Sequence, residues 1–166
     1  CRSNRGNSII TDSSDRILVT GQICGTDGYD MGIWRYNSDG SPDIAFGGAG
    51  HVNFSNLAGD GTEDAGNSII IKDDGKIFVT GYLMNEDYDI NMAVWKYNSN
   101  GSLDTLFNNT GYLISNSAAG GEDIDSGESI ILNSANNIII AGHSINVDGN
   151  DDMVIWKYID NCEITP

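Results

Sequence analysis

Apolar and polar residues alternate along most of the chain in runs too short for helices. "NSIIIK" (67–72) is followed by a turn and then by "KIFVTGYLM" (76–84). "MAVWKY" (92–97) follows an acidic loop, and "GYLIS" (111–115) follows a longer turn-rich stretch. Ile, Val, Tyr, Trp and Phe fill these runs, and Asp, Asn and Gly bound them, which is the pattern of short strands. No segment sustains a helical period. The turn between the first two runs has Gly75 at its second position, matched by Asp15 and Asn136 elsewhere in the chain. Those residue types tolerate the left-handed backbone of a tight hairpin.

The pattern is written three times. Trp34, Trp95 and Trp156 are each 61 residues apart, inside "MGIWRYNSDGSPDIAF" (31–46), "MAVWKYNSNGSLDTLF" (92–107) and "MVIWKYIDN" (153–161). Two further landmarks keep the same order: "GNSII", "GNSII" and "GESII" starting at Gly6, Gly66 and Gly127, and the glycines Gly21, Gly81 and Gly142 closing "VTG", "VTG" and "IAG". A period of this length means a solenoid, a propeller or an array. In the Trp strand, Trp34/Tyr36 and their repeats line one face while Met31/Ile33, Met92/Val94 and Met153/Ile155 line the other. Both faces are apolar, so each sheet is expected to be covered on both sides, as in radially repeated blades. The expectation is a single all-β domain, a β-propeller-like array of three four-stranded units at about 5–64, 65–125 and 126–166. The Trp and Gly positions are structural, and the last unit is incomplete. The fourth strand occurs only at His51–Ser55 and Tyr112–Ser115, which leaves eleven strands.

"DGKIFVTG" (74–81) followed by "YNSNGSLDTLF" (97–107) resembles the delta-60 repeat of bacterial surface and secreted proteins. The resemblance spans two units and part of a third, although "DGKI" becomes "SDRI" (14–17) in the first and "ANNI" (135–138) in the third. It implies propeller blades and carries no catalytic residues.

Composition narrows the partners. Twenty-four acids against 8 Lys and Arg give a net charge of −16, which repels phosphate backbones, so nucleic acid is not an expected partner. No apolar run has the length of a transmembrane segment. The cysteines are not in metal-ligand spacing. Cys24 takes the place of Met84 and Ile145 and reads as a buried free thiol. Cys1 and Cys162 flank the repeats and read as a disulfide that would fasten a closed ring; the competing reading makes Cys1 the acylated first residue of a lipoprotein. Either reading puts the protein outside the cytoplasm, secreted or on a bacterial cell surface.

The acidic loops suit Ca²⁺, an ion that takes oxygen ligands from flexible loops. Asp148, Asp151 and Asp152 form the densest set, followed by Asp87 and Asp89; the rival reading is polar turn geometry. No other cofactor is indicated. The register of Asp64 and Asp125 between units suggests turn-capping hydrogen bonds. His51 and His143 do not repeat and have no nucleophilic partner. Asn53, Asn100 and Asn108 match the N-glycosylation pattern, as chance alone would arrange in a chain so rich in Asn, Ser and Thr.

Three blades fall short of the four to eight of a closed propeller. The chain is therefore a piece of a longer protein, a subunit that pairs with copies of itself, or an unusually small ring. The reading adopted is an extracellular structural or assembly protein, a homo-oligomer or fibril associating through the incomplete unit, with residues 1–5 and 159–166 in or beside the contact. The alternative is a glycan- or receptor-binding, lectin-like module. A glycan-acting enzyme fits less well, because the acids recur by unit, as turn elements do.

Overall fold

The computed structural model describes residues 3–25, 28–55 and 63–160. Eleven strands follow one another: β1 (Arg5–Thr11), β2 (Ile17–Cys24), β3 (Tyr29–Tyr36), β4 (His51–Phe54), β5 (Ala65–Ile71), β6 (Ile77–Met84), β7 (Ile90–Tyr97), β8 (Tyr112–Ser115), β9 (Gly120–Leu132), β10 (Ile138–Asn146) and β11 (Asp151–Tyr158). Among the described residues the one helical element is a 3-10 turn, Phe107–Asn109. Strands β1 to β4 form an antiparallel meander. Strands β5 to β8 repeat it, and β9 to β11 supply three strands of a third. Single parallel bridges at equivalent places, Tyr29 to Glu63 and Ile90 to Ile124, link successive sheets. The fold is all-β and of propeller type.

Local chemistry sets the hairpins. Asp15, Gly75 and Asn136 all have positive φ, at 55°, 82° and 59°, as the sequence predicts for that slot. Gly21, Gly81 and Gly142 face the bulged innermost strand, and a Cβ at any of them would lie 1.9 Å from the carbonyl oxygen of Arg5, Ala65 or Ser126. Asp64 Oδ1 accepts the Met84 N–H at 3.1 Å, and Asp125 accepts those of Ser117 and Ala118, so both buried carboxylates do cap backbone. Asn4, at the equivalent position in the first unit, accepts the Cys24 N–H at 2.9 Å.

The core is made between sheets. The Met31/Ile33 face of the first sheet packs with Leu18 and Phe46 against Trp95, Tyr97, Val79 and Ile69 of the second. The opposite face of the second, Met92, Val94 and Phe78, packs against Trp156, Ile130, Ile138 and Ile140 of the third. Each interface thus lays the Trp face of one unit on the Met face of the unit before it. Among the described residues, only the middle sheet is covered on both faces. An amide ladder ties the innermost strands together: Asn7 Nδ2 donates to Gly66 O at 3.0 Å, and Asn67 Nδ2 donates to Gly127 O at 3.1 Å.

Cys24 is disulfide-bonded, which corrects the expectation of a free thiol. Cys1 and Cys162 lie outside the described residues. With three cysteines in the chain, a bonded Cys24 leaves no room for a Cys1–Cys162 pair in the same molecule. Asn4 holds the segment leading into β1 beside the end of β2, where Cys24 sits. Non-reducing peptide mapping is expected to return Cys24 crosslinked to the N-terminal peptide. Recovery of an alkylatable Cys24 thiol would refute that assignment.

Candidate functional site

Five of the eight cations of this acidic chain, Arg16, Arg35, Lys72, Lys76 and Lys96, are partly or wholly buried and paired with carboxylates. Arg35 and Lys96 occupy equivalent positions, one residue after the repeat Trp, on the strand face that meets the next sheet. Both are buried. Arg35 Nε lies 2.8 Å from Asp43 Oδ2, its Nη1 donates to the carbonyl of Ser99 in the second sheet, and its guanidinium sits 4.5 Å from the Phe46 ring centroid. Lys96 Nζ lies 2.6 Å from Asp160 Oδ1 in the third unit, over the rings of Phe78 and Phe107 at 5.2 and 5.7 Å. A buried cation needs such partners, and here one partner always comes from the next unit.

The two crevices beside these cations differ. Between the second and third units, Asp160 stands where the second unit has Ser99, and its carboxylate also meets Lys72 Nζ at 3.1 Å. That side is spanned by ion pairs, completed by Asp104 on Lys76 at 2.8 Å. Between the first and second units a crevice of about 240 Å³ remains open, flanked by the β1–β2 and β5–β6 hairpins. Leu18, Ile77, Ile10 and Ile71 give it apolar walls, and Arg16, Arg35, Lys72, Asp12, Asp73 and Ser13 give it donors and acceptors. Arg16 Nε holds Asp12 Oδ2 at 2.7 Å and its Nη1 lies 3.6 Å from Asp43 Oδ2.

Burial pushes the Asp12 carboxyl up, but the N–H groups of Ser14 and Arg16 and the Arg16 guanidinium more than reverse this, leaving its pKa below the ordinary value. It is an acceptor at neutral pH and does not store a proton. Burial and the nearby Arg16 charge pull Arg35 down from its usual value, against the attraction of Asp43; an arginine so shifted is still a cation. Asp104 behaves as Asp12 does: burial raises it, and the hydrogen bond and charge of Lys76, with the charge of Lys96, bring it below the ordinary value. Such a set can hold a neutral polyhydroxyl ligand through charge-assisted hydrogen bonds while its apolar walls receive C–H faces.

The sequence-predicted loops are turned to other work. Asp89 Oδ2 accepts from Asn85 Nδ2 at 3.1 Å and Asp152 Oδ2 from Asn146 Nδ2 at 3.0 Å, while the N–H groups of Asp87 and Asp148 donate to the side-chain oxygens of Asn85 and Asn146. These are Asx turns. Among the described residues no three Asp, Glu, His or Cys side chains gather where they could hold a metal ion; Asp148, Asp151 and Asp152, like Asp87 and Asp89, are not brought together for Ca²⁺. Asn53, Asn100 and Asn108 are exposed, and each side chain already hydrogen-bonds, to Asp30, Ser102 and the Tyr112 carbonyl respectively. The interface cations escaped the sequence reading, although their signal was present: Arg35, Lys96 and Lys157 keep one position in a chain with few cations.

Residues 13–46 and 72–107 match the model described as "Domain of unknown function (DUF5122) beta-propeller". No curated protein matches the chain. Among solved structures it is similar in fold to a fucose lectin from Kordia zhangzhouensis solved in complex with methyl-fucoside. The identity is 15%, the TM-score 0.50, and the match covers 93% of this chain and 96% of the other. No helix among the described residues is long and apolar enough to cross a membrane.

Proposed function

We propose that the domain is a glycan-binding module acting outside the cytoplasm, which holds a neutral saccharide in the crevice between its first and second sheets. One observation carries the reading: Ser99 in place of an acid leaves that crevice open, with Arg16 and Asp12 at its mouth and Leu18 and Ile77 on its walls. A neutral sugar suits a chain of charge −16, which disfavours acidic polysaccharides. The likeness of the whole fold to a lectin supports the class of ligand, and the bonded Cys24 supports an oxidising compartment. Arg35, which lines the crevice, also donates to the Ser99 carbonyl of the second sheet, so the binding site and the contact between units share a side chain.

The test is calorimetric titration of the intact chain with methyl-fucoside and a panel of neutral and acidic oligosaccharides, followed by Arg16→Ala. Arg16 is a third exposed, and its ion pair with Asp12 is worth little to stability. Removing a charged hydrogen-bond donor is expected to weaken binding tenfold or more with the melting temperature nearly unchanged. Absence of binding across the panel, or binding indifferent to Arg16→Ala, would overturn the assignment.

A further inference from the structure

We propose that two copies of the chain close a six-bladed ring, each laying the outer face of its third sheet on the outer face of the other's first sheet. The inference is independent of the glycan reading and rests on what the two outermost faces carry. The third sheet presents Met153 and Ile155 at 73% and 62% exposure, whereas their repeat mates Met31, Met92, Ile33 and Val94 are all at 0%. The first sheet presents Ile9 at 69%, against 4% and 3% for its mates Ile69 and Ile130, beside a half-buried Trp34. A hollow of about 220 Å³ opens there against Trp34, Tyr36 and Val19. Within the chain, the corresponding Trp95 face is filled by Met31 and Ile33 of the preceding sheet. One outer face is therefore the socket, and the other is the surface that fills it. The chain makes this same contact twice internally, so the fit is built into the repeat.

Polar positions at the two faces agree. Asn67 reaches forward to Ser126, Gly127 and Glu128 of the next unit. At the same place the third unit has Glu128, a side chain that cannot continue the amide ladder as a donor when ionised. Opposite it in a second copy would stand the positions equivalent to Ser126 and Gly127, which are Arg5 and Gly6. Arg5 is exposed and replaces the Ala65 and Ser126 of the other units. Carboxylate and guanidinium thus appear only where the outer faces meet, in place of an amide-to-carbonyl bond. Lys157, the repeat mate of buried Arg35 and Lys96, is likewise exposed. Two copies of the three described sheets make six blades, a number found in closed propellers. The contact is made through sheet faces and needs no strand donated to the edge of β11.

Sedimentation velocity on the intact chain from micromolar to millimolar concentration tests the proposal. The expected result is a species of twice the chain mass. Ile155→Asp is expected to raise its dissociation constant at least a hundredfold, while Val147→Asp, at an equally exposed position off the seam, leaves it unchanged. Glu128→Arg is expected to weaken the dimer, and Arg5→Glu in the same chain to restore it. A monomer at every concentration overturns the proposal. So does an open-ended series of higher species, or a dimer indifferent to Ile155→Asp.

Discussion

Gly81→Ala is expected to lower stability by about 3 kcal/mol or more, a large part of the roughly 5–15 kcal/mol that holds a domain folded. The methyl group would lie 1.9 Å from the carbonyl oxygen of Ala65, 2.9 Å from its carbon and 3.1 Å from the amide nitrogen of Asn67. All three are backbone atoms, so no side chain can swing away. Relief requires β5 to separate from β6 at the bulge between Gly66 and Ser68. That displaces the Asn67 amide that ties the second sheet to the third, together with the Asp64 cap on Met84. Lost conformational freedom in the unfolded alanine chain offsets only about 0.4–1 kcal/mol. Gly21→Ala and Gly142→Ala meet the same 1.9 Å clash but disturb a sheet covered on one face only, so they are expected to cost less. Urea denaturation of the three variants checks the order. A loss below about 1 kcal/mol at Gly81 would mean that the bulge yields, and that the repeated glycine is not a steric requirement.

The unit was legible in the sequence because its requirements recur. Three glycines facing one carbonyl, three hairpin residues with positive φ, and three tryptophans between apolar neighbours each leave a mark at a fixed spacing. The contacts between units were far less legible, because they depend on places where one copy departs from the next. Asp160 in the place of Ser99 pairs with Lys72 and Lys96 across one boundary, and Glu128 in the place of Asn67 ends the amide ladder. When units are compared, such departures look like noise. The acidic loops are ambiguous for the opposite reason: Asp and Asn at a repeated position satisfy both turn geometry and a hard cation, and composition cannot separate the two. Cys24 escaped because its slot holds apolar residues in the other units, and only the position of Asn4 brings a neighbouring segment to it.

The middle tryptophan separates packing from hydrogen bonding. Trp95 is fully buried between the first and second sheets, and its ring lies 5.8 Å from that of Phe54. Trp95→Ala is expected to cost about 3–5 kcal/mol, the range for deleting a large core aromatic. Its indole N–H, however, has no acceptor among the described residues, whereas Trp156 Nε1 donates to Ser115 Oγ at 3.1 Å. The difference is one residue: Phe54 stands in the first unit where Ser115 stands in the second. A buried donor left unsatisfied costs about 1–3 kcal/mol. Trp95→Phe removes that cost together with part of the ring, so its loss is expected to stay below about 1.5 kcal/mol. Phe54→Ser restores an acceptor but opens a cavity, and is expected to destabilise in spite of the new bond. Trp34 gives the contrast, because its face meets no other sheet in the chain. Trp34→Ala is expected to cost little in the dilute monomer and progressively more as protein concentration rises, because a partner that binds only the folded state adds its binding energy to stability. Denaturation curves of the three Trp→Ala variants at two protein concentrations distinguish these cases. If Trp34→Ala costs as much as Trp95→Ala in the monomer, the first sheet carries a covered face that the outer-face packing excludes.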